Sequence, residues 1–166
     1  MKCTQFLPGV VFLFLAACNN VPEKSDSKTD TIDSLKIRTA LQIEPDLQKT
    51  DSLEILYYDN PDGDPKRYTR FFKFTALSDS TDIATLVKNM DQPVTSTQLG
   101  KCRSQGKIFF RHQKDIINTL YFSTRGDTCS YLYYIKTGAY YYVSINKETA
   151  DVIKRYRQFA RVPKAK

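Results

Sequence analysis

The sequence predicts an α+β domain, one antiparallel sheet carrying two helices in the order ββαββββα. Three observations lead there. Short runs rich in Tyr, Phe, Ile and Val are separated by turn residues, as expected of strands in a meander. Two other stretches repeat apolar residues at helical spacing, Ile83, Leu86, Val87, Met90 and then Val152, Ile153, Tyr156, Phe159, Ala160. The chain has 166 residues, 41% hydrophobic and 13% aromatic, which suits one core and gives no reason for a second.

Taken in order, Leu35, Ile37, Thr39, Leu41 and Ile43 alternate with Lys36, Arg38, Ala40 and Gln42, which predicts a short strand ended by Pro45. LEILYY at 53–58 and RYTRFFKFT at 67–75 read as a hairpin across the turn residues NPDGDP. In its second arm Tyr68, Arg70, Phe72 and Phe74 share a face. The segment 78–80 supplies N-cap oxygens, Asp79 and Asp82 suit a helix N-terminus, and Pro93 blocks continuation of the helix that follows. KIFFR up to Arg111 and INTLYFS at 117–123 are the next strands, and Arg125-Gly126-Asp127 turns the chain into an aromatic hairpin.

That hairpin, Cys129 to Asn146, has Thr137-Gly138 as a two-residue turn, so Lys136 should face Ala139, Tyr134 face Tyr141, and Leu132 face Val143. Two unlike faces follow from the alternation. Leu132, Tyr134, Tyr141, Val143 and Ile145 have the character of core, and Tyr131, Tyr133, Tyr140 and Tyr142 form a tyrosine ladder on the other side. Asn146 is placed to cap the last helix, whose second face carries Lys154, Arg155, Arg157 and Arg161, followed by Lys164 and Lys166.

The first 17 residues join one positive charge at Lys2, an apolar run from Val10 to Leu15 and the small residues Ala16 and Ala17 before Cys18. This stretch resembles a bacterial lipoprotein signal, with Leu15-Ala16-Ala17-Cys18 as its lipobox. The resemblance implies export, cleavage before Cys18 and lipidation of that cysteine, and Asn19 in place of Asp implies the outer membrane over the inner. The mature domain shares a general likeness with small lipoproteins of Bacteroidota-type bacteria, which implies no activity. Residues 18–50 are then expected to be the lipidated cysteine and a tether, 51–162 the globular domain and 163–166 a basic tail.

Chemistry is sparse. With Cys3 in the signal and Cys18 lipidated, Cys102 and Cys129 remain and are expected to be bridged in an oxidising compartment, two separate reactive thiols being the alternative. His112 is the only histidine and has no nucleophile elbow or oxyanion motif with it. Asp59, Asp62 and Asp64 lie on a turn without the ligand order of a calcium loop, and Arg125-Gly126-Asp127 is explained by a turn. No phosphate loop, dinucleotide fingerprint or zinc spacing occurs, so neither catalytic residue, cofactor nor metal is implied. The formal charge of +7 is moderate, and an exported protein is not expected to meet nucleic acid. The expectation is a non-enzymatic binding or assembly module for an envelope protein, peptide or glycan, held at the membrane by lipid on Cys18. It would use either the ladder, unless a helix covers it, or the basic helix. An envelope hydrolase with a hidden site is the alternative.

Overall fold

The computed structural model describes residues 38–66, 70–98 and 100–164. Its strands are β1 (Ser52–Tyr58), β2 (Phe72–Leu77), β3 (Val94–Thr95), β4 (Gly106–His112), β5 (Asp115–Thr124), β6 (Ser130–Lys136) and β7 (Ala139–Ser144). Its helices are α1 (Ala40–Ile43), α2 (Ser80–Asn89) and α3 (Lys147–Arg157). The seven strands form one antiparallel sheet in the order β2-β1-β4-β5-β6-β7-β3. The architecture is α+β, with α2 and α3 as its main helices.

Both main helices start where a side chain can take up an orphan amide. Asp79 Oδ1 accepts the Asp82 N–H at 2.9 Å, and Asn146 Oδ1 accepts the Thr149 N–H at 2.8 Å. Their apolar stripes land on one face of the sheet. Ile83, Leu86 and Met90 from the first, and Val152 and Ile153 from the second, join Leu53, Ile55, Ile108, Phe110, Leu120, Leu132, Tyr134 and Val143 in one cluster. Each such large apolar side chain contributes about 1.5–3 kcal/mol when fully buried.

Polar groups tie the layers together. The Tyr57 hydroxyl donates to the Ile153 carbonyl at 2.7 Å. Asn89, fully buried at the end of α2, donates to the Ser144 carbonyl and accepts the Asn146 N–H, both at 3.0 Å. One amide therefore fixes the link from β7 to α3. Asp82 accepts from both Arg155 and the Tyr156 hydroxyl, which joins α2 to α3.

The expected early strand does not form among the described residues. Its described part makes a capping box, in which Thr39 Oγ1 accepts the Gln42 N–H and Gln42 Oε1 accepts the Thr39 N–H, followed by one helical turn. Local capping and the helix propensity of Ala, Leu and Gln outweigh the alternation, and only Thr39 keeps a single β-bridge, to Pro93. Residues 32–37 lie outside the described residues. The core also reaches back beyond residue 51, because Ala40 and Leu47 are fully buried in it. The second strand lies later than expected, at Phe72–Leu77, and β3 adds a two-residue pairing with β7 that the expected order lacked. The signal, Cys18 and most of the expected tether lie outside the described residues.

Candidate functional site

With α1, α2 and α3 all contributing to the inner cluster, no α-helix covers the opposite face of the sheet among the described residues. Strand alternation places Leu56 and Tyr58 of β1, Phe72 and Phe74 of β2, Lys107 and Phe109 of β4, and Tyr121 of β5 on that face. It also places there Tyr131 and Tyr133 of β6 and Tyr140 and Tyr142 of β7, in the expected register, with Tyr133 facing Tyr142. The tight turn that sets this register is Thr137-Gly138, at φ of 49° and 80°, both left-handed.

The four ladder tyrosines do not share one environment. Tyr131 and Tyr142 are 1% and 7% exposed, Tyr133 is half-buried, and Tyr140 is 47% exposed. Tyr131 meets Tyr142 edge-on, with centroids 5.8 Å apart. Tyr121 and Tyr133 stack at 4.8 Å with planes 13° apart, and Tyr140 and Tyr142 lie nearly parallel at 6.3 Å. Rings held by their neighbours present their faces with little rotational freedom left to lose. Burial raises the Tyr142 hydroxyl pKa, with Tyr140 adding to it, so the site favours the neutral form of Tyr142.

What covers the inner part of the ladder is an irregular segment, residues 96–98 and 100–105, tied down at several points. The disulfide Cys102–Cys129, with Cα atoms 5.8 Å apart, joins it to the start of β6. The Tyr131 hydroxyl donates to the Cys102 carbonyl. Gln105 Oε1 accepts both the Thr124 N–H at 2.8 Å and its hydroxyl at 3.1 Å. Arg103 donates to the Gly63 carbonyl at 2.7 Å, which connects the segment to the β1–β2 loop. Gly100, at φ 80°, lies so close to residue 128 that a Cβ would stand 2.0 Å from the Thr128 oxygen.

Between this segment and the ladder lies a cleft of about 410 Å³, with Tyr131, Tyr133, Tyr140 and Tyr142 on the sheet side and Gln98, Lys101, Arg103 and Ser104 opposite. A smaller one of about 210 Å³ is lined by Leu56, Tyr58, Phe72, Lys107 and Tyr121. The stacked pair Tyr121 and Tyr133 stands between the two, so they adjoin across one aromatic wall. No family model, curated protein or solved structure matches this chain.

The other residues singled out in the sequence do not converge. Arg155 is paired with Asp82, which raises its pKa, the Arg157 guanidinium lies 5.9 Å from the centre of the Tyr57 ring, and the Arg161 backbone pairs with Phe74. Lys154 is exposed. Arg161 and Lys164 instead flank a groove of about 530 Å³ with Phe74, Phe159 and Val162. His112 sits at the exposed β4–β5 turn, its Nδ1 3.2 Å from Asp51 Oδ2. Asp51 also accepts the Gln113 N–H at 2.6 Å, and this bond is the main reason its pKa is lowered. The carboxylate therefore holds a turn whose Gln113 has φ 57°. Asp62 pairs with Arg125 across to the β5–β6 connection, and Asp64 accepts the Lys66 N–H at 2.9 Å within its own turn. Among the described residues, no three His, Cys, Asp or Glu side chains gather as a metal site.

The site includes residues absent from the sequence-based candidates: Tyr58, Phe72, Lys107 and Tyr121, together with Lys101 and Arg103. Tyr121 was within reach of sequence reasoning, because extending the meander's pairing from β6 to β5 sets it opposite Tyr133. Lys101 and Arg103 lie on an irregular segment held by contacts distant in sequence, the disulfide among them, and no periodicity marks them.

Proposed function

We propose that this protein is an exported lipoprotein, held at the outer membrane by lipid on Cys18, that binds an extended ligand on the open aromatic face of its sheet and performs no catalysis. The observation that carries this reading is that half-buried Tyr133 and exposed Tyr140 line a cleft with no helix over it among the described residues, although an aromatic face of this kind is ordinarily packed under one. Tyrosines supply a flat apolar surface with a polar tip, which suits rings and planar groups arriving from water. The disulfide and the Tyr131 bond pre-organise the facing segment, so less ordering remains to oppose binding.

The hydrolase alternative has less support. His112 and Asp51 are paired on an exposed turn, and their contacts fix backbone rather than surround a bond to be cleaved. The reading is tested by affinity capture from solubilised membranes, comparing the full lipidated chain with its Tyr133→Ser, Tyr140→Ser variant. Loss of captured material in the variant supports it, and unchanged capture removes the face from consideration. Replacing Cys18 by Ser is expected to abolish incorporation of labelled fatty acid, and continued labelling would overturn the anchor.

A further inference from the structure

We propose that the ligand of the aromatic face is an acidic glycan, a sugar chain bearing carboxylate or sulfate groups, lying across the strands. This deepens the reading above and rests on it. The two adjoining clefts contribute Lys101 from the segment over the ladder and Lys107 from β4, with Arg103 beside them bound to the Gly63 carbonyl, and among the described residues no Asp or Glu lines either of them. Glu54 lies on the same sheet face but is paired with Arg111 at 3.1 Å. The lining is therefore cationic as well as aromatic, a combination that selects against neutral ligands by charge and for flat ones by shape.

The geometry favours a sugar chain over a peptide. Peptides that bind sheets usually add a strand at an edge, and here the β2 edge is bridged by Arg161 while the other edge is a two-residue strand. The clefts lie on the face, where no backbone hydrogen bonding is on offer but stacked rings are. Leu56 and Tyr58 of β1 are buried, so the accessible track runs from Lys107 on β4 through Tyr121 and Tyr133 to Tyr140 on β7, three strand spacings or roughly 14 Å, long enough for more than one sugar ring. Lys107 lies over the Phe109 ring at 4.8 Å, so its ammonium stays over the face rather than extending into solvent.

The test is binding of the full chain in detergent to dextran, to dextran sulfate and to polygalacturonate, which separate the sugar backbone from its acid groups. The account expects at least one acidic chain to bind, dextran to bind at least about ten-fold more weakly, and acidic binding to fall steeply with added salt. Lys101→Gln with Lys107→Gln is expected to weaken that binding about ten-fold, whereas Lys88→Gln with Lys154→Gln, an equal loss of charge on α2 and α3 at the other side of the sheet, leaves it unchanged. Equal weakening by both pairs, or no acidic chain bound, overturns the proposal. Dextran bound as tightly as the acidic chains, without salt dependence but lost in Tyr133→Ser, Tyr140→Ser, overturns the acidic ligand and leaves the aromatic face standing. Acidic binding that survives this tyrosine change overturns both. The salt and dextran comparisons use the unaltered protein, so a variant that failed to fold would not remove the test.

Discussion

Removing the disulfide by Cys102→Ser with Cys129→Ser probes the element that sets the facing wall of the cleft. The two cysteines are 27 positions apart, so the bridge closes a loop for which the chain-entropy relation gives about 3.5 kcal/mol at 25 °C. The native state keeps its other ties, namely the Tyr131 bond to Cys102, the two Gln105 bonds and the close approach of Gly100 to Thr128. The loss should therefore be expressed chiefly through a freer unfolded chain, with the cleft still formed. Urea unfolding of the double variant is expected to show a loss of about 3 kcal/mol, and thermal unfolding a Tm lower by on the order of 10 °C. Tyr131→Phe, which removes one tie of the same segment, is expected to cost only about 1 kcal/mol. A double serine variant as stable as wild type would refute the bridge as a structural element. If instead it kept its stability but lost ligand, the bridge would be acting on the site rather than on the chain.

Three other expectations are open to direct measurement. Tyr134 is fully buried, stacked on Tyr141 at 5.2 Å, and its hydroxyl has no hydrogen-bond partner among the described residues, so Tyr134→Phe should raise stability by about 1 kcal/mol; a loss in urea unfolding would contradict this. Asn89→Ala should cost about 2–3 kcal/mol, because it leaves the Ser144 carbonyl and Asn146 N–H without their buried partner, and a loss below about 0.5 kcal/mol would mean that those groups find others. Burial raises the pKa of Tyr57 and Tyr134, so the fold favours their neutral forms. That contribution is complete below the unfolded tyrosine pKa of about 10 and is lost as pH rises toward the higher folded values, at up to about 1.4 kcal/mol per pH unit for each. Urea midpoints should hold from pH 8 to 10 with respect to these groups and then fall, with the missing tyrosinate absorbance appearing on unfolding. A midpoint unchanged at pH 11 would sink the assignment.

Much of the sheet is readable from local chemistry. The Thr137-Gly138 turn and strict alternation suffice to pair Tyr134 with Tyr141 and to separate Leu132 and Val143 from the ladder. Asp79 and Asn146 mark the starts of the helices, because short oxygen-bearing side chains at those positions satisfy amides whatever lies beyond them. The choice of face for α3 depends on where the β7 link is pinned, by Asn89 through a contact spanning 55 residues to Ser144, and nothing local encodes it. The same is true of Lys101 and Arg103, which reach the tyrosines through ties distant in sequence, the Cys102–Cys129 bridge and the Tyr131 bond to Cys102 among them. At Thr39–Ile43 the failure has another cause: alternation and helix propensity compete over a few residues, and the capping box decides between them.

The central claim, that the aromatic face is occupied in its native setting, is tested most directly by tyrosine-selective labelling read residue by residue by mass spectrometry. Purified full chain is compared with the same protein on intact cells. Tyr140, nearly half exposed, should label readily when purified and be protected on cells, together with Tyr133, while Tyr156, beside Asp82 on α3, should label equally in both. Equal labelling of Tyr140 in the two settings would contradict the account.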